Sequence, residues 1–261
     1  MRAVPEASSP NCLGERDSIT VDLGGGKSIE FETGKIGKQA SGAVVARAAD
    51  TIVYSTACAA DEAEDIDFTP LKIDYTERFS AVGRTSGAFN RRDGRASEAE
   101  TLIARLIDRP IRPMLASGWT HDTQLLSWVL AYDGVNQPDA LAVCCASAAL
   151  CLSHVPLVKP IAAVQVGLID GTYILNPSVA ESKLSSLQLM LAGTSDDVLM
   201  IEVCEWMRLR IALLPSSLIQ RQPLWQRLLP ASRHLRSPAP LHPPACCLLH
   251  RELRTSSVRR K

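Results

Sequence analysis

The chain changes character after Val203, and this change limits the part of it that can form a core. The 58 residues from 204 to 261 contain no glycine and no aspartate, but they contain ten arginines, twelve leucines and seven prolines. Because proline lacks an amide hydrogen and fixes its own backbone, prolines at this density interrupt any helix longer than about two turns. We therefore predict that residues 204–261 form a disordered or non-native tail.

Charge is divided between this tail and the rest of the chain. The whole sequence holds 28 basic and 28 acidic residues, and the tail alone holds eleven basic and two acidic ones. Residues 1–203 therefore have 17 basic and 26 acidic residues, so any site for an anion in them must be local. We predict a disordered lead over residues 1–17 and a folded body over residues 18–203. No apolar run reaches the ~18 residues that a membrane span needs.

Short alternating apolar runs in the body predict strands. Two of the turns between them are specific: Gly24-Gly25-Gly26 and Asp170-Gly171 each predict a hairpin. Residues 61–67, rich in carboxylates, are interpreted as a loop. The predicted strands are Ser18–Leu23, Ser28–Thr33, Gly42–Ala48, Thr51–Cys58, Leu71–Tyr75, Gln124–Tyr132, Ile161–Ile169, Thr172–Leu175, Leu187–Ala192 and Val198–Val203.

Two helices are predicted among these strands. Ser97 and Glu100 have the spacing of a capping box, and the helix that they open is expected to end at Pro110. Its apolar positions Leu102, Ile103, Leu106 and Ile107 are expected on one face. A second, alanine-rich helix is predicted from Pro138 to about His154. Since hairpins mix with helices, the predicted fold class is α+β.

The segment from Arg84 to Arg95 is the strongest candidate for a binding site. It places four arginines, one phenylalanine and two glycines in a body of net negative charge. Arginine binds phosphate oxygens in bidentate fashion, glycine lets the backbone approach a polyanion, and Phe89 could stack on an unpaired base. The alternative is a solvated loop whose arginines pair with nearby carboxylates.

A basic stripe follows this segment on the first predicted helix. Arg105, Arg109 and Arg112 recur at helical spacing, opposite the apolar face. Many amphipathic helices carry such a stripe, but next to the arginine-rich segment it could line one anionic groove. Other candidates are weaker: His121 and His154 have no acid or nucleophile at an informative spacing, and His242–His250 in the tail matches no zinc pattern.

Three stretches resemble polynucleotide phosphorylase closely, in the first RNase PH-like domain of that family. They are residues 77–87, residues 89–95 and residues 100–113. Residues 124–134 and 138–143 are similar to the chloroplast branch in particular, and the resemblance is continuous from about Ile19 to Val203. It implies a fold of mixed sheets and helices like the second domain of ribosomal protein S5, and a location in the chloroplast, with the mitochondrion as the alternative.

The resemblance also implies an activity. Enzymes of this family degrade single-stranded RNA from its 3′ end: inorganic phosphate attacks the terminal phosphodiester, a divalent ion such as Mg²⁺ neutralises charge, and a nucleoside diphosphate leaves. The reverse reaction adds a 3′ tail. The family assembles as a ring-shaped trimer, which implies a homotrimer or co-assembly with a full-length enzyme.

Site residues follow from the resemblance position by position. Arg91, Arg92 and Arg95 match the arginines of the first-domain loop that grips RNA, and we add Phe89, Arg105 and Arg109 as candidate RNA contacts. Asn90 replaces the second aromatic of the usual pattern. The family's phosphate and metal ligands lie in its second RNase PH-like domain, so we expect no catalytic and no metal residue in this chain. The alternative function is a catalytically inactive, truncated RNA-binding subunit.

Overall fold

Two β-sheets enclose a buried helix in the computed structural model, which describes residues 17–24, 26–85 and 96–203. The six-stranded sheet has the order β1-β2-β3-β4-β6-β5, and the four-stranded sheet has the order β10-β9-β7-β8. The strands are β1 (Asp17–Gly24), β2 (Lys27–Thr33), β3 (Gly42–Ala48), β4 (Thr51–Ala63), β5 (Leu71–Glu77), β6 (His121–Ala131), β7 (Ala162–Ile169), β8 (Thr172–Leu175), β9 (Gln188–Gly193) and β10 (Val198–Val203). The helices are α1 (Glu98–Ile111), α2 (Pro138–Leu152) and α3 (Val179–Leu184).

Antiparallel pairing accounts for every strand pair in these ranges except β5 and β6, which run parallel. Both predicted hairpins are present, as β1–β2 and β7–β8. Asp170 and Gly171 have φ angles of 48° and 77°, as a two-residue turn of mirror-image type requires. The α+β class predicted from the sequence is confirmed.

Helix α2 is apolar on every side because it lies between the two sheets. Thirteen of its fifteen residues are buried, and most of them are small. The Cys145 thiol lies 3.3 Å from the carbonyl oxygen of Val44 in the first sheet. The Cys144 thiol lies 3.5 Å from that of Ala163 in the second sheet. Adjacent residues of one helix thus contact opposite layers, and small side chains let both layers come close.

Helix α1 is amphipathic and packs against β5 and α2. Ile107 and Ile111 are fully buried, but Leu102 is 58% exposed, so the prediction of one apolar face that includes Leu102 is wrong. The helix also continues past Pro110 to Ile111. A proline one residue before the end of a helix costs at most one backbone hydrogen bond, and its fixed φ is compatible with helix, so it does not stop the helix there.

Two further differences from the sequence prediction concern the edges of elements. Strand β4 runs to Ala63, so the first residues of the predicted acidic loop belong to a strand, and Ala63 pairs with His121 at the start of β6. The short helix α3 was not predicted, although Ser178 and Glu181 form a capping box at its start. None of the helices in the described part of the chain is long and apolar enough to cross a membrane.

Candidate nucleic-acid interface

The described structure places two of the six predicted RNA contacts, Arg105 and Arg109, on α1. The other four, Phe89, Arg91, Arg92 and Arg95, lie outside the described residues. The chain runs from the carboxyl end of β5 through a 3₁₀ turn at Phe79–Val82 to residue 85, and it is described again from residue 96, just before α1. The structure therefore shows where this segment is attached, and it shows the helix that continues from it.

The three arginines of the predicted stripe have different partners. Arg112 donates to both carboxylate oxygens of Asp108, at 2.8 Å and 3.2 Å, and to two backbone carbonyls before β5 and within it. Arg109 forms an ion pair with Glu202 of β10. Arg105 is exposed and has no ion pair with any residue of the described ranges. Arg105 is thus the arginine of this stripe that is free to meet a phosphate.

One carboxylate joins the end of β5 to the residue that caps α1. Glu100 Oε1 accepts a hydrogen bond of 2.7 Å from the backbone amide of Glu77, at the end of β5. Its Oε2 accepts one of 2.6 Å from the amide of Ser97, and the Ser97 hydroxyl accepts from the Glu100 amide at 3.2 Å. The predicted capping box is therefore confirmed, and Glu100 also joins the helix to the sheet.

The electrostatics of Glu100 follow from these bonds. Partial burial acts to raise the pKa of Glu100, but the amide donors of Ser97 and Glu77 outweigh it and hold this pKa below its usual value. Glu77 in turn accepts from the Tyr75 hydroxyl at 2.8 Å, and burial raises the pKa of Tyr75. Hydrogen bonds thus connect Tyr75, Glu77, Glu100 and Ser97, and two of these four residues are carboxylates.

A cleft that the sequence analysis missed lies beside this group of residues. It has a volume of about 290 Å³ and lies between α1, the first turn of α2, α3 and the second sheet. Gln165 donates to Asp139 there at 3.3 Å. The lining residues are Leu106, Gln137, Asp139, Gln165, Val166, Pro177, Ser182, Gln188, Leu189, Met190 and Glu202. No local motif marks this cleft, because its lining comes from six separate elements.

The environment of Asp139 in this cleft disfavours the charged form of its carboxyl group. Burial first, and the carboxylate of Glu77 second, raise the pKa of Asp139 to about 6. Asp139 stands in the first turn of α2, where the helix dipole would otherwise attract an anion. Among the described residues no group of three histidine, cysteine or carboxylate side chains could hold a metal ion. The described residues therefore do not fit a Mg²⁺ site.

Comparison with known protein families accounts for the whole described body. Residues 25–156 match the model of the 3′ exoribonuclease family, domain 1, and residues 159–205 match that of domain 2 of the same family. The chain belongs to the 3′ exoribonuclease family. The division between the two models falls where the chain passes from α2 to the four-stranded sheet.

Relatives within this family are similar over most of the chain. The polyribonucleotide nucleotidyltransferase of Protochlamydia amoebophila is 52% identical over 189 residues, which are 72% of this chain and 27% of that protein. The polyribonucleotide nucleotidyltransferase of Chlamydia felis is 49% identical over 186 residues, which are 71% of this chain and 27% of that protein. The chain therefore spans about a quarter of the length of these relatives.

The fold of the family is also seen in a solved structure. The crystal structure of rice (Oryza sativa) Rrp46 superposes on this chain with a TM-score of 0.60 at 15% identity. The superposition covers 87% of this chain and 96% of that one. At this identity the likeness supports the RNase PH-like fold alone.

Glu100 provides a first test of how the arginine-rich segment is attached. Substitution of Glu100 by Gln should lower the free energy of unfolding by about 1–2 kcal/mol at pH 7, because one of two charge-assisted amide bonds loses its acceptor. The pKa of Glu100 is lowered in the folded protein, so its contribution exists above the unfolded pKa and fades as pH falls. Urea unfolding at pH 7 and pH 4 measures both effects.

Glu98 is the matched control for this substitution. It lies in the same helical turn, so Glu98→Gln removes the same interaction with the helix dipole, about 0.3–1 kcal/mol, without breaking the bridge to β5. Equal losses for the two variants would show that Glu100 acts through the dipole alone.

Asp139 gives a test with the opposite sign. Its pKa is raised in the folded protein, so the stability associated with its protonated form is full below the unfolded pKa and is lost as pH rises through about 6. Asp139→Asn should therefore stabilise the protein by roughly 1–3 kcal/mol at pH 8, with the gain disappearing near pH 4. Urea unfolding across this range is the measurement.

Asp133 is the contrasting position. It accepts hydrogen bonds from the amides of Val135 and Asn136 at 2.6 Å and 2.8 Å. Burial acts to raise the pKa of Asp133, but these donors outweigh it and lower the pKa. Asp133→Asn should consequently destabilise the protein at pH 8. If Asp133→Asn stabilised the protein at pH 8, or Asp139→Asn did not, the directions of the two pKa shifts would be contradicted.

Proposed function

We propose that this chain is the RNA-binding portion of a phosphate-dependent 3′–5′ exoribonuclease of the polynucleotide phosphorylase type. The observation that carries the proposal is the 49–52% identity to polyribonucleotide nucleotidyltransferases over 186–189 residues. In this function the arginine-rich segment and α1 bind the phosphates of single-stranded RNA, which is degraded with inorganic phosphate as co-substrate.

The described structure supports this proposal in two ways. The segment that contains Arg91, Arg92 and Arg95 is attached next to the first turn of α1, and Arg105 is exposed two turns farther along the same helix. Arg109 could meet RNA only by leaving Glu202, and an exposed ion pair of this kind is worth about 1 kcal/mol or less. RNA phosphates could therefore compete for Arg109 at small cost.

A second candidate function is an RNA-binding subunit without catalysis. It is favoured by the resemblance, which assigns the phosphate and metal ligands of the family to a second RNase PH-like domain. In this case the chain would join trimers of a longer family member, or form its own homotrimer, and Mg²⁺ would be held by another domain. Assembly as a trimer, like location in the chloroplast or mitochondrion, rests on the resemblance.

RNA binding through phosphates is tested by changing Arg91 and Arg92 together to Ala. Affinity for single-stranded RNA should fall across all sequences, because phosphates carry no base identity. The slope of log affinity against log salt should decrease by roughly 0.7 for each phosphate contact that is lost. Filter binding or fluorescence anisotropy at several salt concentrations measures both quantities.

The matched control is Arg47→Ala, since Arg47 is exposed on β3 and lies outside the arginine-rich segment. To exclude non-specific RNA binding by the eleven basic residues of the tail, the comparison is repeated on residues 1–203. An unchanged affinity and salt slope for the double variant would show that the arginine-rich segment does not bind RNA.

Catalysis separates the two candidate functions. The described residues supply no metal cluster, so the purified chain should release no nucleoside diphosphate from polyadenylate and phosphate. Thin-layer chromatography of labelled polyadenylate, with and without Mg²⁺ and phosphate, detects the product. Phosphate-dependent release by a preparation free of host enzyme would favour the complete exoribonuclease.

A further inference from the structure

The inner face of the second sheet changes from apolar to polar at the point where α2 no longer covers it. Ala163, Ala192 and Met200 lie on this face under the helix and are buried. Beyond the first turn of α2, the same face continues with Gln165 of β7, Gln188 of β9 and Glu202 of β10. These three side chains form the floor of the cleft of about 290 Å³.

The register of the strands brings these polar groups side by side. Gln165 pairs with Met190 across β7 and β9, and Met190 pairs with Glu202 across β9 and β10. Gln188 lies one row farther, opposite Gly167, which has no side chain to cover it. The floor therefore consists of two amides and one carboxylate around the thioether of Met190.

The amides retain hydrogen-bonding capacity towards the cleft. Gln165 donates to Asp139 at 3.3 Å, and Gln188 donates to the backbone oxygen and the hydroxyl of Ser182, both at 3.2 Å. In each bond the amide nitrogen is the donor, so the amide carbonyl remains as an acceptor. Leu106 and Pro177 add apolar walls.

The charges of the cleft argue against an anion. Asp139 and Glu202 both line the cleft, and their carboxylates would repel a phosphate. Among the described residues, no group of three histidine, cysteine or carboxylate side chains could hold a metal ion. What remains is a neutral ligand that is apolar on its faces and hydrogen-bonding at its edge.

We propose that this cleft binds a nucleobase with an exocyclic amine, adenine or cytosine, through Gln165, Gln188 and the carboxylate of Asp139. The free carbonyls of Gln165 and Gln188 and the carboxylate of Asp139 are acceptors, and an exocyclic amine of adenine or cytosine supplies the donors for them. Leu106 and Met190 contact the faces of the ring. The inference rests on the proposed function in one respect, since it takes the base to belong to bound RNA.

Nucleosides test the cleft without involving the phosphate-binding arginines, because they carry no phosphate. Equilibrium dialysis of the full chain against labelled adenosine, cytidine and uridine should give saturable binding of adenosine or cytidine, with a dissociation constant of about 1 mM or below. Uridine has no exocyclic amine, so it should bind at least several-fold more weakly. This selectivity is read on the unaltered protein and needs no variant.

Variants then locate the binding. Gln165→Ala and Gln188→Ala should each weaken binding of adenosine or cytidine by about five-fold, the effect of one lost hydrogen bond. The control is Gln124→Ala, because Gln124 is exposed on the first sheet and its amide donates to Asp74, away from the cleft. Circular dichroism and thermal unfolding of each variant verify that it folds.

Four results would overturn the proposal: no saturable binding of any nucleoside, equal binding of uridine, unchanged affinity in both glutamine variants, or displacement of the nucleoside by inorganic phosphate. Failure of the base site is distinguishable from failure of the proposed function. If RNA affinity depends on Arg91 and Arg92 but no nucleoside binds, the proposed base site is wrong and the proposed function stands. If a nucleoside binds but the arginine variant keeps its RNA affinity, the base site stands and RNA binding through Arg91 and Arg92 is wrong.

Discussion

The burial of α2 between two sheets is the constraint on which the rest of this structure depends. A helix that packs on both sides must have side chains small enough for each layer to approach, and α2 meets this with alanine, cysteine and serine. The Ser147 hydroxyl accepts a hydrogen bond of 2.8 Å from the backbone amide of Ile161, which holds the start of the second sheet against α2. The first sheet approaches α2 closely at Gly42, because a Cβ there would lie 2.2 Å from the carbonyl oxygen of Ala149.

The position of α2 also decides what lies at each of its ends. Its last turn packs closely against the backbone of β3 at Gly42. Its first turn opens onto the edge where β5 ends, next to the hydrogen bonds of Glu77 and Glu100. The candidate interface therefore lies where parallel strands end and a helix begins, which is the usual position of ligand sites in sheets with such a crossover.

Much of this architecture could be predicted from local patterns. Alternation of apolar residues located all ten described strands, and capping chemistry at Ser97 located the start of α1 to the residue. Errors occurred where tertiary context overrides a local rule. Leu102 satisfies the helical apolar period but is 58% exposed. Pro110 lies in the last turn of α1, where it removes one backbone hydrogen bond without ending the helix.

The candidate site was less accessible to such reasoning. Arginine spacing indicated a basic stripe, yet spacing alone could not show that Arg109 is paired across 93 residues of sequence while Arg105 is not. The raised pKa of Asp139 likewise depends on Glu77, more than sixty residues away. Long-range pairs of this kind have no signature in a single sequence.

The bridge that Glu100 makes between Glu77 and Ser97 has a consequence for how the family can vary. Because one carboxylate accepts from the amides of both Glu77 and Ser97, the two anchors of residues 78–96 have a fixed separation. Doubling the length of a loop between fixed anchors costs only about 0.6 kcal/mol of closure entropy. Extra residues between these anchors therefore cost little free energy of folding, so the length of the segment can change with ligand preference almost independently of stability.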